Sequence, residues 1–106
     1  MKKVDAIIIG SGQAGNPLAM SLAHSGMKVI LIEKSEMHLG GTCLNDGCTP
    51  SKTLIASAKV AHIINTSDKH GISTEQMNID FAATQKRKDK IVLDSRKGLI
   101  NRLEET

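Results

Sequence analysis

The chain has 106 residues and a formal net charge of +3, which arises from 14 lysines and arginines against 11 acids. This length allows one small domain. The charge is weak and interspersed, and one phenylalanine is the only aromatic residue of the Phe, Trp and Tyr set, so base-stacking platforms for nucleic acid are missing. No apolar run approaches the ~20 residues of a membrane-spanning helix. The brief apolar run near the N-terminus is broken by Asp5 and is typical of a strand, not of a signal peptide. We therefore expect a cytoplasmic protein without nucleic-acid or membrane partners.

The first third of the chain alternates between strand and helix patterns. Residues 4–9 are almost continuously apolar, which predicts a strand buried on both faces of a parallel sheet. A helical pattern follows and stops at Gly26, a typical C-terminal helix residue. Residues 28–32 predict a second strand. The pattern therefore indicates a βαβ unit and an α/β fold.

Three glycines and one acid in this unit have the spacing of a dinucleotide-binding turn. Gly10 permits a tight turn, Gly12 allows a pyrophosphate to approach the backbone, and Gly15 allows close packing of helix on strand. Glu33 ends the second strand, where it would accept hydrogen bonds from ribose hydroxyls and repel a 2′-phosphate. The helix N-terminus would face the phosphates. The alternative interpretation is a glycine-rich turn in some other α/β protein.

The two cysteines, Cys43 and Cys48, are separated by four residues. Pro50 and a long helical pattern follow, which places Cys48 at or near the first turn of a helix. Unpaired N–H groups and the helix dipole favour a thiolate there, and Lys52 adds a positive charge one turn later. A loop over residues 44–47 would let Cys43 turn back to meet Cys48. With no secretory signal, the pair is better explained by catalysis or metal binding than by a structural disulfide.

The remaining residues predict a pair of long helices. The helix that starts near Cys48 is expected to extend to about Asp68. Asn78 or Asp80 is a candidate N-cap for a last helix over residues 81–103. The apolar residues in the second half of that last helix are expected to cover a surface that this chain lacks.

The stretch Gly-Gly-Thr-Cys-x-Asn-x-Gly-Cys-x-Pro-Ser-Lys at residues 40–52 resembles the redox-disulfide signature of the class I pyridine nucleotide-disulfide oxidoreductases. Dihydrolipoamide dehydrogenase, glutathione reductase and mercuric reductase belong to this family. The resemblance implies a Rossmann-like FAD-binding βαβ unit with parallel strands and long helices, an incomplete part of a larger domain. Residues 1–106 would be the N-terminal part of the FAD-binding domain, and the NAD(P)-binding and dimerisation domains would lie outside this chain.

The resemblance also implies roles for individual residues. Cys43 is similar to the interchange thiol that reacts with substrate. Cys48 is similar to the thiol that lies against the flavin, and Lys52 to a lysine near flavin N5, so these three form the catalytic set. The implied FAD-binding residues are Gly10, Gly12, Gly15, Glu33, Lys34, Gly41, Thr42 and Lys52. No metal ligand is predicted.

The activity that the resemblance implies is electron transfer from NAD(P)H through FAD to the Cys43–Cys48 pair and on to a small disulfide or metal-ion substrate, in a full-length homodimer. This chain alone is expected to be inactive. Within the family, residues 45–50 and 53–58 look most like mercuric-reductase-like proteins, because dihydrolipoamide dehydrogenases more often have an aliphatic residue in place of Thr49. Dihydrolipoamide dehydrogenase is the alternative. An alternative of another class is a nucleotide-binding module with non-catalytic cysteines. A thiolate site for Hg(II) or Cu(I) is a third interpretation, although two cysteines cannot complete a structural zinc shell.

Overall fold

A two-stranded parallel sheet opens the fold, which a computed structural model describes for residues 3–106. The strands β1 (Ala6–Ile9) and β2 (Val29–Ile32) pair with Ala6 opposite Val29 and Ile9 opposite Ile32. The helix α1 (Gly15–His24) connects them. Gly26 follows this helix with φ of +88°. The predicted βαβ unit is therefore confirmed.

The two faces of this sheet differ in exposure. Ile8 of β1 and Ala19 of α1 are buried, at 9% and 5% exposed, because the helix covers this face. The side chains on the opposite face are exposed, up to 85% for one of them: Ile7, Ile9, Ile30 and Ile32. Continuous apolar character predicted burial on both faces. That prediction is wrong for residues 3–106, which cover only one face.

Helices form most of the remaining structure. After a 3₁₀ turn at Glu36–His38 come α2 (Gly41–Asn45), α3 (Cys48–Asn65), a second 3₁₀ turn at Ser67–His70, and α4 (Phe81–Glu104). The predicted start of a helix at Cys48 is confirmed. The predicted loop between the cysteines is wrong in its first part, because Leu44 and Asn45 complete a short helix that carries Cys43.

The N-terminus of α4 has the side-chain cap that the sequence predicted. Asp80 Oδ1 accepts a hydrogen bond from the backbone N–H of Ala83 at 2.9 Å. This bond satisfies one of the free N–H groups in the first turn of the helix. Of the two candidates, Asp80 and not Asn78 is the cap.

The hydrophobic core of the helical part joins α4 to the segment between the cysteines. Leu44, Val92 and Leu99 form a buried cluster, and Leu39 and Leu103 pack against it. The apolar face of α4 was expected to cover a surface outside this chain. That expectation is wrong for Val92 and Leu99, which bury Leu44 instead. The core thus lies directly beneath the cysteine-bearing segment.

The molecule is elongated, with extents of 68 × 24 × 19 Å. The two long helices, α3 and α4, pack against each other. No helix among residues 3–106 is both long enough and apolar enough to cross a membrane.

Truncation of Leu99 tests this core. We expect Leu99→Ala to lower the free energy of unfolding by about 2–5 kcal/mol, since a buried leucine loses its transfer energy and leaves a cavity. The measurement is urea denaturation. Leu93→Ala is the matched control on the same helix, because Leu93 is 49% exposed. Equal losses for the two variants would contradict the assignment of the core.

Candidate dinucleotide and dithiol site

The turn between β1 and α1 is built from the three spaced glycines. Gly10 has φ of +96°. A Cβ at Gly15 would lie 1.9 Å from the carbonyl oxygen of Gly10, so no larger residue fits where the helix leaves the strand. A Cβ at Gly12 would meet no atom of residues 3–106 within 4 Å. The backbone at Gly12 therefore leaves room for the close approach of a pyrophosphate group.

The N-terminus of α1 also suits a phosphate. Ala14 occupies the N-cap position without a side-chain hydrogen bond, and the first turn contains no acid. The positive end of the helix dipole thus faces the turn without competition from an acidic side chain of the first turn. Within that turn the backbone N–H of Asn16 already donates to the carbonyl oxygen of Gly12 at 3.1 Å, and Pro17 has no N–H.

Asn16 is a buried polar residue of this turn that the sequence analysis did not single out. Its side-chain nitrogen donates to the carbonyl oxygen of Ser11. Its Oδ1 is buried and has no hydrogen-bond partner among the described residues. A buried acceptor of this kind is normally satisfied by a water or a ligand. The turn therefore fits a bound dinucleotide with associated solvent.

Ser11 connects the turn to the acid at the end of β2. The serine is fully buried. Its hydroxyl donates to Glu33 Oε2 at 2.6 Å, and its backbone N–H donates to the same oxygen at 2.9 Å. Glu33 Oε1 accepts from the backbone N–H of Lys34 at 2.8 Å. These bonds stabilise the charged form and lower the pKa of Glu33 to about 2, chiefly through the Ser11 hydroxyl.

Glu33 is therefore ionised at neutral pH and held beside the turn between β1 and α1, residues 10–15, which we call the dinucleotide turn. A carboxylate has about four lone-pair positions. Glu33 uses three of them for Ser11 and Lys34, and a bond from the backbone of Ser35 also lowers its pKa. Ser11 was not among the predicted site residues. The available signal was its place between Gly10 and Gly12, where a short hydroxyl side chain can reach the end of the adjacent strand.

The cysteine-bearing segment is docked onto this turn by two contacts. The backbone N–H of Gly40 donates to Ser11 Oγ at 3.1 Å. Gly41 has φ of +72°, and a Cβ there would lie 2.7 Å from Gly12 Cα. Because α2 begins at Gly41, these contacts place Thr42 and Cys43 beside the dinucleotide turn.

Cys43 and Cys48 meet where α2 ends and α3 begins. Both are free thiols. Cys48 is the first residue of α3, whose first turn contains no acid and whose N-cap, Gly47, makes no side-chain bond. The hydrogen bond of Cys43 to Cys48 raises the pKa of the Cys43 thiol, and burial and negative charge on Cys48 act in the same direction. The positive charge of Lys52 opposes this rise.

The structure thus gathers the predicted residues into two adjoining parts. The dinucleotide part contains Gly10, Gly12, Gly15, Glu33 and Lys34. The dithiol part contains Gly41, Thr42, Cys43, Cys48 and Lys52. Residues 3–106 contain no group of three or more His, Cys, Asp or Glu side chains arranged to hold a metal ion. The fold and the site define the class of protein as a Rossmann-like dinucleotide-binding unit in which a pair of cysteines lies against the dinucleotide turn.

Comparisons with known proteins assign the family. Residues 4–105 match the family of pyridine nucleotide-disulphide oxidoreductases. The dihydrolipoyl dehydrogenase of Chlamydia trachomatis is 45% identical over 95 residues, which are 90% of this chain and 20% of that protein. A dihydrolipoyl dehydrogenase of Bacillus subtilis is 39% identical over 88 residues, which are 83% of this chain and 18% of that protein.

A solved structure of the Escherichia coli flavoprotein disulfide reductase RclA, a Cu(II) complex, is similar with a TM-score of 0.75 at 36% identity. The match covers 95% of this chain and 19% of that one. The chain therefore belongs to the pyridine nucleotide-disulphide oxidoreductase family. It spans about a fifth of the length of these relatives.

Removal of the Ser11 hydroxyl tests the electrostatics of the turn. We expect Ser11→Ala to raise the pKa of Glu33 from about 2 toward its ordinary value of 4.5, because the strongest hydrogen bond to the carboxylate is lost. A ¹³C-carboxyl NMR titration measures this value.

The same change alters the pH dependence of stability. Since folding lowers the pKa of Glu33, its contribution is present above pH 4.5 and is lost as the pH falls through about 2. Ser11→Ala should reduce this acid-dependent loss, which urea denaturation at several pH values will show. Ser21→Ala, on the exposed side of α1, is the control. An unchanged Glu33 pKa in Ser11→Ala would exclude the proposed cause.

Proposed function

We propose that this chain is the N-terminal FAD-binding segment of a longer flavin-dependent dithiol–disulfide oxidoreductase. The observation that carries the proposal is the docking of the dithiol segment on the dinucleotide turn. Gly40 bonds to Ser11 Oγ at 3.1 Å, and Gly41 approaches Gly12 too closely for any side chain. A dinucleotide bound at the turn would therefore lie next to the two sulfur atoms. This adjacency favours a redox role over a nucleotide-binding module with inert cysteines.

The residues of the turn fit FAD. Gly12 and the N-terminus of α1 would hold the pyrophosphate, Glu33 would accept from the ribose, and Lys34 would lie beside it. Thr42 and Lys52 would line the approach of the flavin to the dithiol. When bound, FAD would supply hydride chemistry with NAD(P)H and exchange electrons with the cysteine pair.

We propose different roles for the two thiols. Cys48 lies at the positive end of α3, beside Lys52, where a thiolate is stabilised. The hydrogen bond to Cys48 raises the pKa of the Cys43 thiol, which disfavours a thiolate at Cys43. The position of Cys48 at the start of α3 supports Cys48 as the thiolate that faces the flavin. Cys43 is then the interchange thiol that forms the mixed disulfide with substrate.

A small dithiol or disulfide is the substrate class that we place first. The curated relatives are named dihydrolipoyl dehydrogenase at 39% and 45% identity, which favours that alternative over the mercuric-reductase-like interpretation based on Thr49. The homodimer and the cytoplasmic location stay predictions.

A metal ion is the second candidate substrate. Two of the similar solved structures are Cu(II) complexes of RclA, and one of them is a C43S mutant. The described residues of the present chain lack a cluster of three potential ligands, so any metal would depend on the cysteine pair or on residues elsewhere.

A substrate comparison tests the proposal and separates the two candidates. The full-length holoenzyme would be assayed with NADH and with NADPH, against lipoamide, glutathione disulfide, Cu(II) and Hg(II). Lipoamide turnover well above metal reduction is the expected result. Metal reduction alone would support the second candidate, and the absence of bound flavin would refute the function.

Serine substitutions test the division of roles. After reduction, Cys43→Ser should keep a long-wavelength flavin–thiolate absorbance band, because Cys48 remains as thiolate beside the flavin. Cys48→Ser should lose that band. Both variants should lose nearly all disulfide-reductase turnover, since the exchange needs two sulfurs. Visible spectra of the reduced holoenzymes measure the difference. Identical spectra for the two variants would contradict the assignment.

A further inference from the structure

Three of the four residues between the cysteines make side-chain contacts to other parts of the chain. Leu44 is 9% exposed and packs in the cluster with Val92 and Leu99 of α4. Asn45 accepts from Arg96 of α4. Asp46 accepts from His38 Nε2 at 3.0 Å. Leu44 and Asn45 of this spacer are therefore held by contacts to α4, whereas the pair of Asp46 with His38 is exposed and contributes little.

Asn45 forms the most connected of these contacts. Its Oδ1 accepts from Arg96 Nε at 3.1 Å and from Arg96 Nη2 at 2.5 Å. Its Nδ2 donates to the carbonyl oxygens of Leu39 and Gly41 at 3.1 and 2.8 Å. The reverse orientation of the amide would place its NH₂ group against the guanidinium, so the contacts fix one orientation. Asn45 thus ties the spacer both to α4 and to the segment that docks on the dinucleotide turn.

We propose that Arg96 is a positioning residue that acts through Asn45 to hold the two thiols at bonding separation, and thereby stabilises the Cys43–Cys48 disulfide relative to the dithiol. This inference rests on the proposed function, because it concerns the same cysteine pair. Arg96 lies 51 residues from Asn45 in sequence. Its side-chain hydrogen bonds go to Asn45, not to the dinucleotide turn or to a cysteine.

The physical basis is the effective concentration of one thiol at the other. When the pair is oxidised, the two thiols lose two protons and two electrons and form one S–S bond, while glutathione disulfide gains them and becomes two glutathione thiols. A fixed spacer keeps the thiols together before the bond forms, so it favours this intramolecular step. A mobile spacer lowers the equilibrium constant for disulfide formation and makes the reduction potential less negative.

The experiment measures the dithiol–disulfide equilibrium in glutathione redox buffers, by thiol alkylation and mass analysis of the full-length protein. We expect Arg96→Met to lower the equilibrium constant for the Cys43–Cys48 disulfide by about tenfold, which corresponds to ~30 mV for a two-electron couple. Asn45→Ala should give a similar shift. The double variant should shift no further than Asn45→Ala alone, because both changes remove the same contact.

Two further variants separate position from charge and from helix packing. Loss of a positive charge near a thiolate would destabilise the reduced form and make the potential more negative, which is the opposite sign. Arg96→Lys keeps the charge but not the planar pair of donors. Its reduction potential should therefore shift in the same direction as that of Arg96→Met, but by less. Arg87→Met is the matched control. Arg87 also extends from α4, but donates to the carbonyl of Thr53 on α3 at 3.2 Å, so its loss should leave the potential unchanged.

Several outcomes would overturn the inference. These are an unchanged potential in folded Arg96→Met and Asn45→Ala, a shift toward more negative values, additive shifts in the double variant, or an equal shift in Arg87→Met. Urea denaturation identifies variants that fail to fold, and Arg96→Lys then serves as the milder test. If the unmodified protein forms no reversible Cys43–Cys48 disulfide, the proposed function fails. If it does and the potential ignores Arg96, only this inference fails.

Discussion

The hydroxyl of Ser11 is the point at which three parts of the structure meet. It donates to Glu33 at the end of β2 and accepts from the backbone of Gly40, and its own backbone belongs to the dinucleotide turn. Ser11 is fully buried, so loss of its hydroxyl would leave the buried backbone N–H of Gly40 without its acceptor. This side chain therefore joins the dithiol segment to the dinucleotide turn, next to the close approach of Gly41 to Gly12.

Much of this arrangement follows from local sequence patterns. The strand–glycine–helix order, the helix start at Cys48 and the cap at Asp80 each depend on neighbours within a few residues, and the structure has them where the patterns place them. The spacing from Gly10 to Glu33 is likewise a property of one βαβ unit. Such local patterns follow from the geometry of helices, strands and turns, so they can be recognised in a single sequence.

The features that were missed depend on distant residues. Burial of Val92 and Leu99 is due to Leu44, about 50 positions earlier, and no periodicity identifies that partner. Arg96 and Asn45, which together hold the spacer, are 51 residues apart, and no local pattern pairs them. Ser11 gave little signal because its role requires an acid from another strand and a backbone N–H from a third segment. One face of the sheet is exposed although burial of both faces was expected. Apolar side chains in a strand indicate that the strand can be buried, but they do not show which element covers it.

The long-range anchoring of the spacer has a consequence for biosynthesis. Asn45 and Leu44 reach their partners only after Arg96 and Leu99 have been made, because the contacts span about 50 residues. During translation the two thiols therefore leave the ribosome well before the helix that orders them. In that interval they are open to reaction with glutathione disulfide or other oxidants, and closing so distant a contact is also slow compared with forming a local helix. A reducing environment during synthesis would then matter more for this protein than for one whose cysteines are ordered by their immediate neighbours.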